Sequence, residues 1–200
     1  YGVVSTGWRP GGVSVTPSAL PEDVLLFDAE DSVSYELGFK SILSDGAVRL
    51  NGSAYFHDFD GYIQRQNALN VMNPDGSIDR SGVTTNGDAE VWGAELELSA
   101  NISANWYLGG SLSYSQGEYA DGTTLPCNEY DDSGLPVFPA GQPVSLCDEG
   151  GNQLGRVPEW TASINSEYRV DFGAFQGYGR VLLAYTGDQT AEAETETTDA

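Results

Sequence analysis

A chain of 200 residues with 30 acidic against 8 basic side chains, formal charge −22, is no nucleic-acid binder, because Lys and Arg must neutralise phosphates. Its hydrophobic content of 40% and aromatic content of 11% suffice for an ordered protein of one or two domains. No apolar run approaches the roughly 20 residues of a membrane helix, which leaves soluble proteins and membrane β-barrels, whose strands score low on hydropathy. The acidic excess reads as solvated loops, or as an attraction for cations and cationic ligands. The chain opens at Tyr1 without Met or a signal region, and so reads as an internal piece of a longer precursor.

Taken in order, Tyr1–Trp8 reads as a strand with weak alternation. Val33, Tyr35, Leu37 and Phe39 alternate with Ser34, Glu36, Gly38 and Lys40. Leu50, Gly52, Ala54 and Phe56 alternate with Arg49, Asn51, Ser53, Tyr55 and His57. Ser44-Asp45-Gly46 between them is a tight hairpin turn. Period two predicts strands with one apolar and one polar face. Trp92, Ala94, Leu96, Leu98 and Ala100 repeat the design against Gly93, Glu95, Glu97 and Ser99. So do Trp106, Leu108, Gly110, Leu112 and Tyr114 against Tyr107, Gly109, Ser111, Ser113 and Ser115, after a short turn at Asn101 to Asn105. Trp160, Ala162, Ile164, Ser166, Tyr168 and Val170 alternate with Thr161, Ser163, Asn165, Glu167 and Arg169. Asp171 to Gly177 is a third short turn, and Tyr178–Tyr185 a weaker strand.

Long connections, roughly Arg9–Asp31, Gln64–Asp88 and Tyr119–Gly155, alternate strictly with the short turns. Long structureless loops are uncommon inside compact soluble domains. Outer-membrane barrels have this asymmetry, with short periplasmic turns and long outer loops. The segment from Ala47 to Ile63 runs about 17 residues without a breaker, against about 5–6 for a soluble strand. Trp106 and Tyr114, like Trp160 and Tyr168, are eight positions apart on the apolar face. At about 3.3 Å per residue and a tilt near 40° that is roughly 20 Å of bilayer. Trp92, Tyr114 and Trp160 are therefore expected on the outer aromatic girdle, Trp106 and Tyr168 on the periplasmic one. Glu95 and Glu97 must then face a lumen, because a charge on the lipid face costs a few kcal/mol at mid-bilayer.

Cys127 and Cys147 sit in one polar, Pro- and Gly-rich segment without zinc-ligand or C-x-x-C spacing, which predicts a disulfide in an oxidising compartment.

Several segments resemble one family. Val33-Ser34-Tyr35-Glu36-Leu37-Gly38-Phe39-Lys40-Ser41 resembles the "SYE-x-G-x-K-S" strand of TonB-dependent outer-membrane receptors, and Ala47–Phe56 their next strand. Trp92-Gly93-Ala94-Glu95-Leu96-Glu97-Leu98 is similar to the "G-x-E-x-E" strand that follows. Thr6-Gly7-Trp8-Arg9-Pro10-Gly11-Gly12 resembles "G-F-R-P-G-G", with Trp8 for Phe, and Val157-Pro158-Glu159-Trp160-Thr161 resembles "x-P-x-W-T". The resemblance covers nearly the whole chain. It implies an all-β fold: residues 1–200 as part of a single antiparallel transmembrane β-barrel domain, about seven strands of a 22-stranded wall. The plug domain and closing strands would lie outside this chain.

The function implied is import of a scarce nutrient, most of all a ferric siderophore or similar metal chelate, across the cell outer membrane of a Gram-negative bacterium. The implied partners are a small-molecule ligand (metal chelate, cobalamin or glycan), the lipid bilayer, and TonB through the absent N-terminal region. A passive outer-membrane channel and a secreted β-sandwich binding module are the alternatives. The chain is not expected to be an enzyme, nor to carry a cofactor or metal. His57 is its only histidine, which disfavours a His-based triad or multi-His metal site. Glu95 and Glu97 have the spacing of an inverting glycosidase pair but read as lumen wall packing against a plug. Asn73-Pro74-Asp75-Gly76-Ser77-Ile78-Asp79 hints at a calcium loop but reads as a loop-tip turn. Asp131-Asp132 and Asp148-Glu149 would meet around a cation only if the disulfide joined them. Ligand contacts are expected from Tyr119, Asn128, Tyr130 and Phe138, with the Cys127–Cys147 bridge ordering their loop over the barrel mouth.

Overall fold

The computed structural model describes residues 1–15, 20–155 and 157–189, with only the backbone of Asp23. Seven long strands run antiparallel in one sheet, each beside its neighbours in sequence. They are β1 (Gly2–Arg9), β2 (Glu30–Leu43), β3 (Val48–Met72), β4 (Ile78–Ser103), β5 (Trp106–Tyr119), β6 (Trp160–Phe172) and β7 (Phe175–Thr186). Helical structure among the described residues is a single turn at Glu22–Leu25 and a 3-10 turn at Ser44–Gly46.

Register turns the sequence alternation into two continuous faces. Phe39, Gly52, Leu96, Leu112, Ala162 and Tyr185 form one row across six strands. The row beside it on the other face is Lys40, Asn51, Glu97, Ser111, Ser163 and Ala184. Polar side chains in that row bond to one another: Asn51 Nδ2 donates to Glu97 Oε2 at 3.2 Å, and the Ser111 and Ser163 hydroxyls lie 2.8 Å apart. On the apolar face Leu96, Leu112 and Ile164 are 44%, 44% and 47% exposed. No core among the described residues covers them, and an apolar band of this extent needs an apolar surrounding.

Aromatic rings bound the band. Trp92 and Tyr114 lie 5.4 Å apart and Tyr114 and Trp160 4.7 Å, centroid to centroid, at its outer edge. Tyr168 pairs directly with Trp106 at the other edge.

The expected loop Gln64–Asp88 is not a loop. β3 and β4 are 25 and 26 residues long and continue as a paired hairpin to a tight turn at Asn73–Ser77. Two irregularities, between Phe59 and Tyr62 and between Gln66 and Leu69, break the period-two pattern there. Beyond the girdle both faces of the hairpin can be polar, so the segment carries no amphipathic signal. The short turn after β6 is also tighter than expected, with Phe172 pairing directly with Phe175.

The two buried clusters lie at this outer end. Leu20, Leu69, Val71, Val83 and Val144 form one; Ala89, Tyr119, Leu125 and Leu154 form the other. Both join the connection after β5 to the extended hairpin.

Candidate ligand-facing surface

The polar face is hollowed. A concavity of about 510 Å³ is lined by residues including Glu36, Lys40, Asn51, Ser53, Glu95 and Glu97. Tyr1 donates to Glu36 Oε1 at 2.6 Å and stacks under the Lys40 ammonium at 5.5 Å. Glu97 accepts from Asn51, so the Glu95/Glu97 pair sits in a hydrogen-bonded wall. Nearer the short turns, Arg169 donates to Glu167 Oε1 at 2.7 Å and Arg180 Nε to Glu167 Oε2 at 2.8 Å, tying β6 to β7.

Above this wall the connection between β5 and β6 folds into a platform. Cys127 and Cys147 are disulfide-bonded, with Cα atoms 5.8 Å apart. The bridge lies within a small hairpin, Thr124–Cys127 against Ser145–Asp148. Leu125 beside it is completely buried and packs where Gly87 leaves room: a Cβ on Gly87 would come within 2.9 Å of it. Leu154 similarly seats over Gly117.

The four expected ligand residues take different places. Tyr119 is 2% exposed and its hydroxyl donates to Gln64 Oε1. Burial, foremost, pushes this phenol well above its ordinary pKa. Asn128 accepts from the Asn70 N–H at 2.7 Å and donates to the Ala68 carbonyl at 3.2 Å. Tyr130 accepts from Asn70 Nδ2 at 3.1 Å while remaining 52% exposed. Phe138 is half-buried, next to the short pair Pro136–Val137. Gln64 and Asn70, which receive these contacts, carry no local sequence signal: their partners lie 55 to 60 residues away.

The other candidates resolve into turns. Asp75 Oδ1 accepts from the Ser77 hydroxyl at 2.6 Å and N–H at 2.9 Å, and Asn73 Nδ2 donates to Asp79 Oδ2 at 2.8 Å. Asp131 caps its own turn through the N–H groups of Ser133 and Leu135. Among the described residues no group of three His, Cys, Asp or Glu is placed to hold a metal ion. His57 bonds through Nδ1 to Ser34 Oγ on the neighbouring strand.

An uncovered apolar band between aromatic rows, a polar hollow behind it, short turns at one end and a pinned platform at the other define a sector of a transmembrane β-barrel wall. Among the described residues the sector is not closed: β1 and β7 each pair on one side only. The sequence model of the family described as "TonB dependent receptor-like, beta-barrel" matches residues 1–200, and the chain belongs to that family. The ferric yersiniabactin uptake receptor FyuA from Yersinia pestis is similar at 18% identity and a TM-score of 0.62, over 94% of this chain and 23% of that one. The alcaligin outer-membrane receptor FauA from Bordetella pertussis is 18% identical over 93% of this chain and 26% of that one, with a TM-score of 0.48. The chain thus spans about a quarter of either receptor.

Proposed function

We propose that this chain is a sector of an outer-membrane receptor of a Gram-negative bacterium that imports a ferric siderophore or similar metal chelate with energy delivered through TonB. Family membership supports the class of protein. The observation that carries the reading further is the disulfide-pinned platform folded onto the hairpin that extends beyond the girdle. In support of this reading, Leu125 and Leu154 seat the long connection after β5 on the outer end of the polar face, over Gly87 and Gly117.

Within this reading Tyr130 and Phe138 touch the ligand, because they keep surface. Tyr119 and Asn128 position them, because their polar atoms already hold the platform to β3. The plug and the TonB contact belong to parts of the receptor outside residues 1–200.

The test is uptake of radiolabelled iron, offered as ferric chelates, by cells expressing the full-length receptor. The reading expects uptake that stops when the proton gradient is collapsed or TonB is deleted. Uptake that survives both treatments would indicate a passive channel and overturn it.

A further inference from the structure

The polar face of β3 carries four aromatic rings in file. Centroids of Tyr55 and His57 are 5.0 Å apart, of His57 and Phe59 6.2 Å, and of Phe59 and Tyr62 5.5 Å. Alternation puts the first three on one face but would turn Tyr62 to the other. A bulge returns it: the register steps from Phe59–Ala89 to Tyr62–Gly87, three residues against two. The bulge is held by specific bonds. Gly61 has φ +68°, its N–H donates to Asp88 Oδ1 at 2.9 Å, and its carbonyl accepts from Asn86 Nδ2 at 2.7 Å.

At the lower end Tyr55 lies across Gly93, where a Cβ would come within 2.6 Å of the phenol oxygen. At the upper end Phe59 and Tyr62 pack against the cluster of Tyr119, Leu125 and Leu154. The file therefore descends from beneath the disulfide-pinned platform along the inner wall. Tyr55 and His57 belong to neither buried cluster and keep exposed surface.

Charge is distributed unevenly along the same axis. Among the described residues, the carboxylates between the outer girdle and the short turns are Glu36, Asp45, Glu95, Glu97, Glu167 and Asp171. They are set against Lys40, Arg49, Arg169 and Arg180. The other described carboxylates lie at or beyond the outer girdle, where the described basic residues are Arg9, Arg65 and Arg80. Arg9 is itself paired with Glu30. A mouth sector of this sign repels anions and concentrates cations.

We propose that Tyr55, His57, Phe59 and Tyr62 form a stacking track for a chelate that carries an aromatic or heteroaromatic ring and has zero or positive net charge. The proposal rests on the import reading above and narrows its substrate class. Offset and edge-on ring contacts give the track its selectivity for flat, polarisable groups, and the acidic mouth filters by charge before the track is reached.

The experiment uses the full-length receptor in detergent and three ferric complexes of tripodal hexadentate ligands. One is a tris(N-phenylhydroxamate), neutral with aryl rings. The second is a tris(N-methylhydroxamate), neutral without them. The third is a tris(catecholamide), aryl but trianionic. Affinities are measured by calorimetry for the parent and for Tyr55→Leu, Tyr55→Phe and Phe59→Leu, each checked for barrel assembly by heat-modified gel mobility.

The N-phenyl complex is expected to bind tightest. Each Leu variant should weaken it roughly 2- to 10-fold, the scale of one ring contact, while Tyr55→Phe retains it and the N-methyl complex is insensitive to all three. The catecholamide should bind more weakly than the N-phenyl complex at low salt, the gap narrowing as salt rises. Binding of the N-phenyl complex that ignores the loss of both rings, tighter binding of the catecholamide, or binding of none of the three complexes would overturn the proposal. Energised uptake of some other chelate alongside any of those results would leave the import reading standing. Ring-dependent binding without energised uptake would sink the import reading and leave the track.

Discussion

Replacing Cys127 and Cys147 together by Ser removes a bridge between residues 20 apart in sequence. A ring of that size contributes about 3 kcal/mol in the chain-entropy account. The transmembrane wall does not use that energy, because its strands are paired independently of the loop. The platform does. The hairpin the bridge closes has only four residue pairs, and its apolar anchorage is essentially Leu125, with Leu154 beside it. The loss therefore falls on platform opening, and at about 1.4 kcal/mol per tenfold the open population rises on the order of 100-fold. Hydrogen exchange measured by mass spectrometry on the full-length receptor reads this directly. Amides of Thr124–Cys127 and Ser145–Asp148 should exchange faster by that factor, those of β5 and β6 at mid-wall should not, and assembly should be unaffected. Unchanged exchange in the hairpin, or a variant that fails to assemble, would refute the division of labour between wall and platform.

Gly61→Ala should destabilise the extended hairpin by roughly 1–2 kcal/mol, because φ +68° suits Gly and an added Cβ meets the Ala29 carbonyl at 3.0 Å; denaturant-driven opening of the hairpin measures it, and an unchanged midpoint would contradict the bulge. Tyr119→Phe removes the bond to Gln64, at a cost of about 1 kcal/mol to platform docking, read by limited proteolysis. The Tyr119 phenol, raised by burial, keeps its full contribution to the fold below its ordinary value of 10.0 and loses it as pH climbs from there through its higher folded value, so alkaline absorbance titration should show a late-ionising tyrosine that Tyr119→Phe abolishes. Asp75 behaves oppositely. The Ser77 hydroxyl and then its N–H hold the Asp75 carboxyl below the ordinary 3.8, so the hairpin tip keeps its full contribution above that value and loses it as pH falls through the lower folded one. The Ser77 amide resonance should stay unshifted down to about pH 4, and an earlier shift would contradict the turn.

Where the two sides of a strand meet different media, the pattern is readable from the residues. Trp92–Ala100, Trp106–Ser115 and Trp160–Val170 alternate because lipid and lumen impose opposite demands, and those strands, their order and the girdle rings are found as expected. Legibility fails where the media become alike. Beyond Phe59 both faces of the hairpin can meet water or loop, and the bulges at Gly61 and near Ala68 shift parity twice, so Gln64–Asp88 reads as loop. The disulfide was legible because two thiols in an exported loop have one common fate. The separate placements of Tyr119, Asn128 and Tyr130 were not. Composition marks all three as ligand-like, whereas burial and the contacts with Gln64, Asn70 and Ala68 arise only when the platform docks. The file Tyr55–Tyr62 was hidden for a related reason: the bulge that aligns its last ring is a tertiary feature held by Asn86 and Asp88.

The central claim, that one face of this sheet meets lipid and the other a lumen, is tested most directly by single-cysteine labelling of the full-length receptor in outer membranes, with Cys127 and Cys147 replaced by Ser. A membrane-impermeant maleimide should react at Glu97→Cys and Ser113→Cys, which lie on the polar face. A lipid-soluble maleimide should be needed at Leu96→Cys and Leu112→Cys, one residue away on the exposed apolar face. Equal aqueous reactivity at positions 96 and 97 would contradict the account.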